Sequence, residues 1–293
     1  MDTPKTRRQF LADGVIAAVA AATAGRSAAL AWPAQAAESE TAAAMPMIAL
    51  GSLRVSRVFL GSNPFFGFSH GNPQASDREM REWYTPERIM AVLDAAAELG
   101  INAVWSPCYD HWIRVWNQYR EKNGKLRHWI AQPDREPMEQ ELEVAFNNGA
   151  SAVCIQGIRI DEQVGRGRWD IVRGWLERIK AQGLPAGMAT HGAKTHLEAE
   201  DRRLPTDFYH QTMYRPDNYV EQGLEESLTT IEKLDKPVVG YKVLGAGRVR
   251  PQEALPRVFK RMKAKDGVCV GVFPKKNPDE IRQNVELVRR LSS

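Results

Sequence analysis

The sequence predicts a single (β/α)8 barrel, and three observations carry that prediction. Short apolar runs typical of buried parallel strands alternate eight times with amphipathic segments typical of helices. About 257 of the 293 residues remain once a predicted export signal is set aside, which is the usual length of such a barrel. No glycine-rich phosphate loop follows the first strand, as an open dinucleotide-binding sheet would require. An open doubly wound sheet is the alternative, but eight repeated units fit a closed barrel better.

The predicted elements follow one another along the chain with short connections. We expect strands at residues 58–61, 103–106, 128–131, 152–155, 186–189, 208–212, 238–243 and 268–273. Between them we expect helices at residues 86–99, 137–147, 168–182, 224–233, 251–264 and 278–291. Thr85 followed by Pro86 is a typical helix start, because the threonine caps the first turn and proline fits its first position. Gly100 and Gly183 are typical helix stops just before a strand.

The first 36 residues read as a twin-arginine export signal. Arg7 and Arg8 precede an alanine-rich, weakly apolar stretch, and Ala34-Gln35-Ala36 offers a small-residue cleavage site. The alternative is a membrane anchor, but Arg26 interrupts a stretch that needs about 20 apolar residues to span a bilayer. We therefore predict a signal at 1–36, a flexible tail at 37–46 and the barrel domain at 47–293. The twin-arginine export machinery is then a partner, and the mature protein is expected in the periplasm.

Composition narrows the class of partner. The formal net charge is +4, but acidic and basic residues alternate and no basic block stands out, so nucleic-acid binding is not expected. The body holds no second apolar run long enough for a stable membrane span. Hydrophobic residues make up 43% of the chain, enough for a substantial core. A small-molecule substrate is the expected partner of the mature chain.

Lys242 is the most informative candidate for chemistry. Barrel enzymes place their sites at the carboxyl ends of the strands, and Lys242 stands near the end of the seventh predicted strand among apolar neighbours. A desolvated lysine has a depressed pKa and can act as a base or a Schiff-base nucleophile. The alternative is a structural ion pair with a carboxylate such as Asp110. Whether the side chain faces the pocket depends on a strand parity that the sequence leaves open.

Two histidines end neighbouring strands. His191 precedes a glycine at the end of the fifth predicted strand, and His210 lies on the sixth. Such residues can share a divalent metal ion with a carboxylate, but no short histidine spacing supports this, and two separate histidines are the alternative. His191 is also predicted, with Lys242 and Asp110, as a catalytic proton carrier.

Polar and aromatic residues at the other strand ends are predicted to bind substrate. Glutamine amides hydrogen-bond neutral hydroxyls and carbonyls without adding charge, and aromatic faces stack on sugar-like rings. The substrate-binding candidates are Asn63, Trp105, Gln132, Gln156, Tyr214 and Arg248.

Three segments, at residues 53–65, 100–104 and 273–285, resemble the aldo/keto reductase superfamily. They match its opening strand, the entry to its second strand, and its closing strand and helix. The resemblance implies a barrel and an NADP site in which Lys275, Arg282 and Asn284 contact the cofactor. The catalytic tetrad of that family is not retained, because Trp105, Asp110, Gln132 and Gln156 stand at its four positions. The resemblance therefore implies fold more directly than reaction.

Three functions remain open on the sequence. The first is acid/base chemistry of lyase, isomerase or hydrolase type on a carbonyl- or polyol-containing, sugar-like molecule, without a cofactor or with a metal ion. The second is an NADP-dependent oxidoreductase exported with its cofactor already loaded. The third is a barrel that binds a ligand without changing it.

Overall fold

Eight parallel strands close into a barrel, which confirms the predicted fold class. The computed structural model of the protein describes residues 44–214 and 221–293. The predicted signal and most of the predicted tail lie outside the described residues. The order of strands around the barrel is β10-β3-β4-β5-β6-β7-β8-β9, so each strand pairs with its neighbours in sequence and the last pairs with the first. No helix in the described ranges combines the length and hydropathy needed to cross a bilayer.

The strands have the bounds that short apolar runs favour. A hairpin of β1 (Met47–Leu50) and β2 (Leu53–Ser56) precedes the barrel. The barrel strands are β3 (Val58–Gly61), β4 (Ala103–Pro107), β5 (His128–Gln132), β6 (Ala152–Ile155), β7 (Ala186–Thr190), β8 (Phe208–Thr212), β9 (Val238–Tyr241) and β10 (Gly267–Gly271).

Helices alternate with the barrel strands. A 3-10 turn at Asn63–Phe66 follows β3. The α-helices of the described ranges are α1 (Asp77–Trp83), α2 (Pro86–Glu98), α3 (Asp110–Glu121), α4 (Met138–Asn147), α5 (Gly157–Gly165), α6 (Trp169–Ala181), α7 (Thr195–Asp201), α8 (Glu221–Lys233), α9 (Pro251–Phe259) and α10 (Glu280–Ser292). The predicted cap is confirmed, because the Thr85 hydroxyl accepts a hydrogen bond from the Arg88 backbone N–H. The sequence did not predict the hairpin or the helices α1, α3, α5 and α7.

Side chains alternate between the barrel interior and the layer under the helices. Along β3, Phe59 packs inside the barrel, whereas Val58 and Leu60 pack against the helices. Trp105 is the central interior ring: its indole meets Phe59 at 5.5 Å and Phe208 at 5.9 Å between ring centroids, both edge to face. The lower barrel is therefore a filled core, as in barrels of this size.

The hairpin closes the amino-terminal end of the barrel. Ile48, Leu50 and Val55 belong to the same buried cluster as the interior side chains of the strands. A Cβ placed on Gly267, the first residue of β10, would lie 2.9 Å from Ile48 Cδ1, which locates the hairpin at the strand starts. Because the hairpin covers the amino-terminal end, a binding cavity is expected at the carboxyl ends of the strands.

Strand β9 is shorter than the sequence predicted. The strand was expected to reach residue 243, but it ends at Tyr241, because Lys242 adopts a left-handed backbone conformation with φ of +57°. Non-glycine residues avoid this conformation unless the surrounding structure imposes it. The strand pattern alone could not reveal this turn, and it decides where the lysine lies.

Gly187 gives a test of the interior packing. It pairs with Phe208 across β7 and β8, and a Cβ there would lie 2.3 Å from the phenyl ring. We expect Gly187→Ala to destabilise the fold by about 1–3 kcal/mol, since overpacking forces the ring or the strand to move. Gly174→Ala is the matched control. Gly174 is an exposed residue of α6, nothing lies within 4 Å of its Cβ position, and alanine favours a helix. Urea unfolding measures both variants, and an unchanged midpoint for Gly187→Ala would contradict the packing.

Candidate active site

A cavity of about 1000 Å3 opens at the carboxyl ends of the barrel strands. Its floor is formed by inward side chains of the strands, and its walls by the loops that leave them. Its size suits a small organic molecule. The predicted site residues in its lining are Asn63, Trp105, Gln132, Gln156, His191, His210 and Lys242.

Lys242 lies in the cavity wall. The left-handed turn after Tyr241 places its side chain there, with Nζ 5.7 Å from the centroid of the Tyr241 ring. Within residues 44–214 and 221–293, no carboxylate lies at ion-pair distance from Nζ. Burial lowers the pKa of the Lys242 amine from 10.5 to about 8. About a tenth of the amine is therefore neutral, and nucleophilic, at pH 7, far more than for an ordinary lysine.

The predicted partner Asp110 lies elsewhere. It is the first residue of α3, a helix the sequence did not predict, and 81% of its side chain is exposed. Its nearest charge is the Arg135 guanidinium at 3.9 Å. Asp110 does not line the cavity, so the structure does not bring together the predicted trio of Lys242, His191 and Asp110. A different carboxylate, from the helix that follows β6, contacts His191.

That carboxylate is Asp161 of α5. One of its oxygens, Oδ2, lies 2.9 Å from His191 Nδ1 and accepts the His191 backbone N–H at 3.0 Å. The other, Oδ1, accepts the Thr190 hydroxyl at 2.5 Å. Burial opposes ionisation, but these hydrogen bonds outweigh it and lower the pKa of Asp161. The ionised carboxylate can only accept hydrogen bonds, so it orients the His191 ring with a proton on Nδ1 and with Nε2 on the opposite side of the ring. Spacing along the chain does not predict this pair, because Asp161 lies on the helix after β6, whereas His191 follows β7.

His210 lies on the cavity floor between aromatic rings. It stacks on Trp105 at 3.9 Å and lies 4.4 Å from the Tyr241 ring. Its Nδ1 is 3.4 Å from Gln132 Nε2. Burial, with the neighbouring histidines, lowers the pKa of His210 well below its ordinary value, so the imidazole is neutral.

The predicted metal pair is not completed by a third ligand. His191 is engaged with Asp161 and His210 is held between rings. No group of three or more histidine, cysteine or acidic side chains in the described ranges could hold a metal ion. A tetrahedral protein site needs at least three such ligands.

The loops after β3 and β9 meet beside Lys242. Asn63 Nδ2 lies 3.0 Å from His70 Nε2. Burial, followed by the charge of Lys242, lowers the pKa of His70 to about 4, so His70 is neutral. The Arg248 guanidinium donates to the carbonyl oxygens of His70 at 3.3 Å and Gly245 at 3.1 Å. Arg248 therefore joins the two loops.

Two other predicted binding residues have structural contacts. The Gln156 side chain lines the cavity but also caps α5, since its Oε1 accepts the Ile158 backbone N–H at 2.7 Å. Tyr214 is buried and lies behind the loop at Gly245 rather than in the cavity lining.

The three residues that the reductase resemblance implied for NADP lie on the loop after β10 and on α10. Lys275 lies 3.8 Å from Glu79, Arg282 is exposed on α10, and Asn284 is buried in that helix with both amide atoms unpaired. None of them lines the cavity. The NADP contacts therefore stay a prediction of the resemblance, at positions outside the cavity lining.

The fold and the position of the cavity define a (β/α)8 barrel with a site at its carboxyl face. No protein-family model and no curated protein sequence matches the chain. The chain is similar in structure to the spore coat polysaccharide biosynthesis protein spsE of Bacillus subtilis, at 15% identity and a TM-score of 0.50, covering 84% of this chain and 72% of that one. It is also similar to 3-keto-L-gulonate-6-phosphate decarboxylase of Vibrio cholerae, at 10% identity and 0.48, covering 71% and 92%. Thiamine phosphate pyrophosphorylase of Pyrococcus furiosus gives 18% and 0.44, covering 69% and 88%. These likenesses concern the fold alone, and they do not support membership of the aldo/keto reductases.

Proposed function

We propose that this protein is a barrel enzyme that acts by acid/base chemistry on a small molecule carrying a carbonyl group or several hydroxyls. The observation that carries the proposal is Lys242: an amine with a pKa near 8, in a cavity wall, without a carboxylate partner among the described residues. A buried lysine costs stability unless it is paired, and such groups cluster at active sites.

The second part of the proposal is a proton carrier beside the lysine. His191 lines the same cavity and is oriented by Asp161. Both Lys242 and His191 lie close enough to His70 to lower its pKa. In the proposed reaction, the Lys242 amine accepts a proton from the carbon next to the substrate carbonyl. His191 exchanges a proton with the substrate oxygen, where charge develops.

Neutral polar groups would bind the substrate oxygens. Asn63 and Gln132 carry amides into the cavity at two strand ends, and they add no charge. Trp105, His210 and Tyr241 pack on one another and add ring surface to the cavity lining. Such a lining suits a molecule with several oxygens and a carbon skeleton that packs on rings, which is the chemistry of sugar-like compounds.

Proton exchange in deuterated water tests the reaction class. Full-length protein is incubated with dihydroxyacetone, D-fructose, D-xylose and pyruvate, and the loss of the 1H signal next to each carbonyl is followed. We expect exchange above the protein-free rate for at least one compound. Binding of a compound without exchange, cleavage or isomerisation would favour a ligand-binding barrel instead.

Mass measurement tests the oxidoreductase alternative and the location together. Protein recovered from the periplasm is weighed under native and denaturing conditions. We expect a chain that begins after Ala36 and no mass difference. A mass difference equal to a nicotinamide cofactor would replace acid/base chemistry by hydride transfer, and a chain that retains residues 1–36 would contradict the proposed export.

A further inference from the structure

The mouth of the cavity carries the two large hydrophobic side chains that are exposed in the described ranges. Phe68 is 39% exposed and Ile158 is 48% exposed, and both line the cavity. Single exposed apolar residues are ordinary on a protein surface, but they are usually scattered. Here both line one cavity, next to polar side chains.

Phe68 is held rigidly despite its exposure. Its backbone N–H donates to the Asn63 carbonyl at 3.0 Å. The residue before it, Gly67, has φ of +73°, and the residue after it, Ser69, donates its N–H to Asp77 Oδ1 at 3.0 Å. These hydrogen bonds hold the backbone in place at Phe68 and at the residue after it. A mobile loop would give no reason to assign a role to an exposed ring, but an anchored one does.

Aromatic neighbours complete one side of the opening. The Phe68 ring stands at 90° to Tyr109, with centroids 6.2 Å apart, and it packs on Phe66 at 5.8 Å. Tyr109 also lines the cavity. Edge-to-face packing leaves ring faces that can receive another apolar group.

Ile158 belongs to a different part of the mouth. It lies in the first turn of α5, where its backbone N–H is held by Gln156 Oε1. The strand that leads into α5, β6, is three strands away around the barrel from β3, which leads to Phe68. The two apolar groups thus come from separate sectors of the barrel face and line the same cavity.

We propose that Phe68, Tyr109 and Ile158 form an apolar clamp for the hydrophobic part of an amphipathic substrate. The polar end of that substrate, a carbonyl or polyol, lies deeper at Lys242 and His191, so this inference rests on the proposed function and narrows its substrate class. Preorganised apolar groups bind with little loss of side-chain freedom. The substrate is therefore an aryl- or alkyl-substituted compound and not a bare sugar.

A fluorescent naphthyl ketone tests the clamp. The probe is 6-propionyl-2-dimethylaminonaphthalene, which is neutral, carries a carbonyl and changes its emission when it leaves water. We expect saturable binding to the wild type, and an affinity reduced roughly 5- to 20-fold by Phe68→Ala or Ile158→Ala. Phe68→Leu and Ile158→Val keep apolar surface and are expected within about twofold of the wild type. Gln252→Ala, at an exposed polar residue of the cavity wall, is the control and is expected to leave affinity unchanged.

A second measurement separates failure of the clamp from failure of the lysine chemistry. Dihydroxyacetone is too small and polar to use the clamp, so its reductive trapping on Lys242 with cyanoborohydride should proceed at the same rate in Phe68→Ala and Ile158→Ala. In that reaction the amine and carbonyl form an imine with loss of water, and cyanoborohydride supplies the hydride that reduces it. Unchanged probe affinity in both alanine variants overturns the clamp. Absence of proton exchange by the wild type with every compound of the panel overturns the proposed acid/base function, while the probe still reports on the clamp.

Discussion

Lys242→Met is expected to lower proton exchange and reductive trapping by about a thousandfold or more, to the protein-free rate. Methionine fills a similar volume and keeps an unbranched chain, so the cavity keeps its shape and loses only the amine. No other amine in the described ranges combines burial, an unpaired position and a pKa near 8. The measurement is intact mass and peptide mapping after cyanoborohydride treatment with dihydroxyacetone.

The matched control for this variant is Lys276→Met. Lys276 also lines the cavity, but it is exposed and lies 3.0 Å from Glu79. Its removal should leave trapping at Lys242 unchanged.

In the wild type the trapping rate should rise with pH up to about 8, as the Lys242 amine loses its proton, and then level off. A rate that keeps rising toward pH 10 would mean that exposed lysines carry the reaction.

The stability of Lys242→Met shows whether the loss is chemical. Burial lowers the pKa of Lys242 in the folded protein from 10.5 to about 8. At pH 7 the protonated amine therefore destabilises the folded state relative to the unfolded state. Removing the amine should therefore raise the free energy of unfolding at pH 7 by about 2–3 kcal/mol. Between pH 8 and 10.5 the unfolded wild type binds more protons than the folded wild type, so its stability rises relative to the variant and the difference disappears. A destabilised variant at pH 7 would contradict the burial argument.

Asp161→Asn is expected to give the second-largest effect, a fall in kcat of about 100- to 1000-fold with KM nearly unchanged. Asp161 is a positioning residue, because it acts through His191 and does not line the cavity. An asparagine amide that directs its N–H at His191 Nδ1 would stop that nitrogen from holding a proton, so His191 would lose the doubly protonated form that can give a proton to the substrate oxygen. The measurement is the exchange rate with the most reactive compound of the panel.

The double variant and a spectroscopic readout distinguish positioning from simple damage. His191→Gln should cost as much as Asp161→Asn, and the double variant should cost little more, since the two residues act as a unit. The proton between Asp161 and His191 should give a downfield 1H resonance that both single variants lack. Glu162→Gln, at the neighbouring residue that pairs with Arg159 at 2.8 Å, is the control and should retain it. Additive losses in the double variant would show that the two residues act separately.

The cavity and the loops around it bring together residues that are far apart along the chain. Asp161 and His191 are 30 residues apart, and the loops that contain His70 and Arg248 are 178 residues apart. Their approach follows from barrel closure, because β10 pairs with β3 and every strand end comes to one face. The strand-end rule therefore predicted the region of the site but not the pairs within it.

The sequence by itself determined the fold class and the list of strand ends from which a site could be built. Periodicity and strand length are local properties, and eight repeats of them leave few architectures. The same patterns predicted Lys242, His191, His210, Asn63, Trp105 and the two glutamines, all of which line the cavity.

Only the tertiary structure decided which of these residues lie close together. A left-handed turn ended β9 one residue before Lys242 and placed that side chain in the cavity wall, while an unpredicted helix began at Asp110 and left its carboxylate in solvent. Asp161, and not the predicted Asp110, contacts His191, because α5 packs against the end of β7. Hydrogen bonds and burial of this kind depend on distances across the barrel, and spacing along the chain does not encode them.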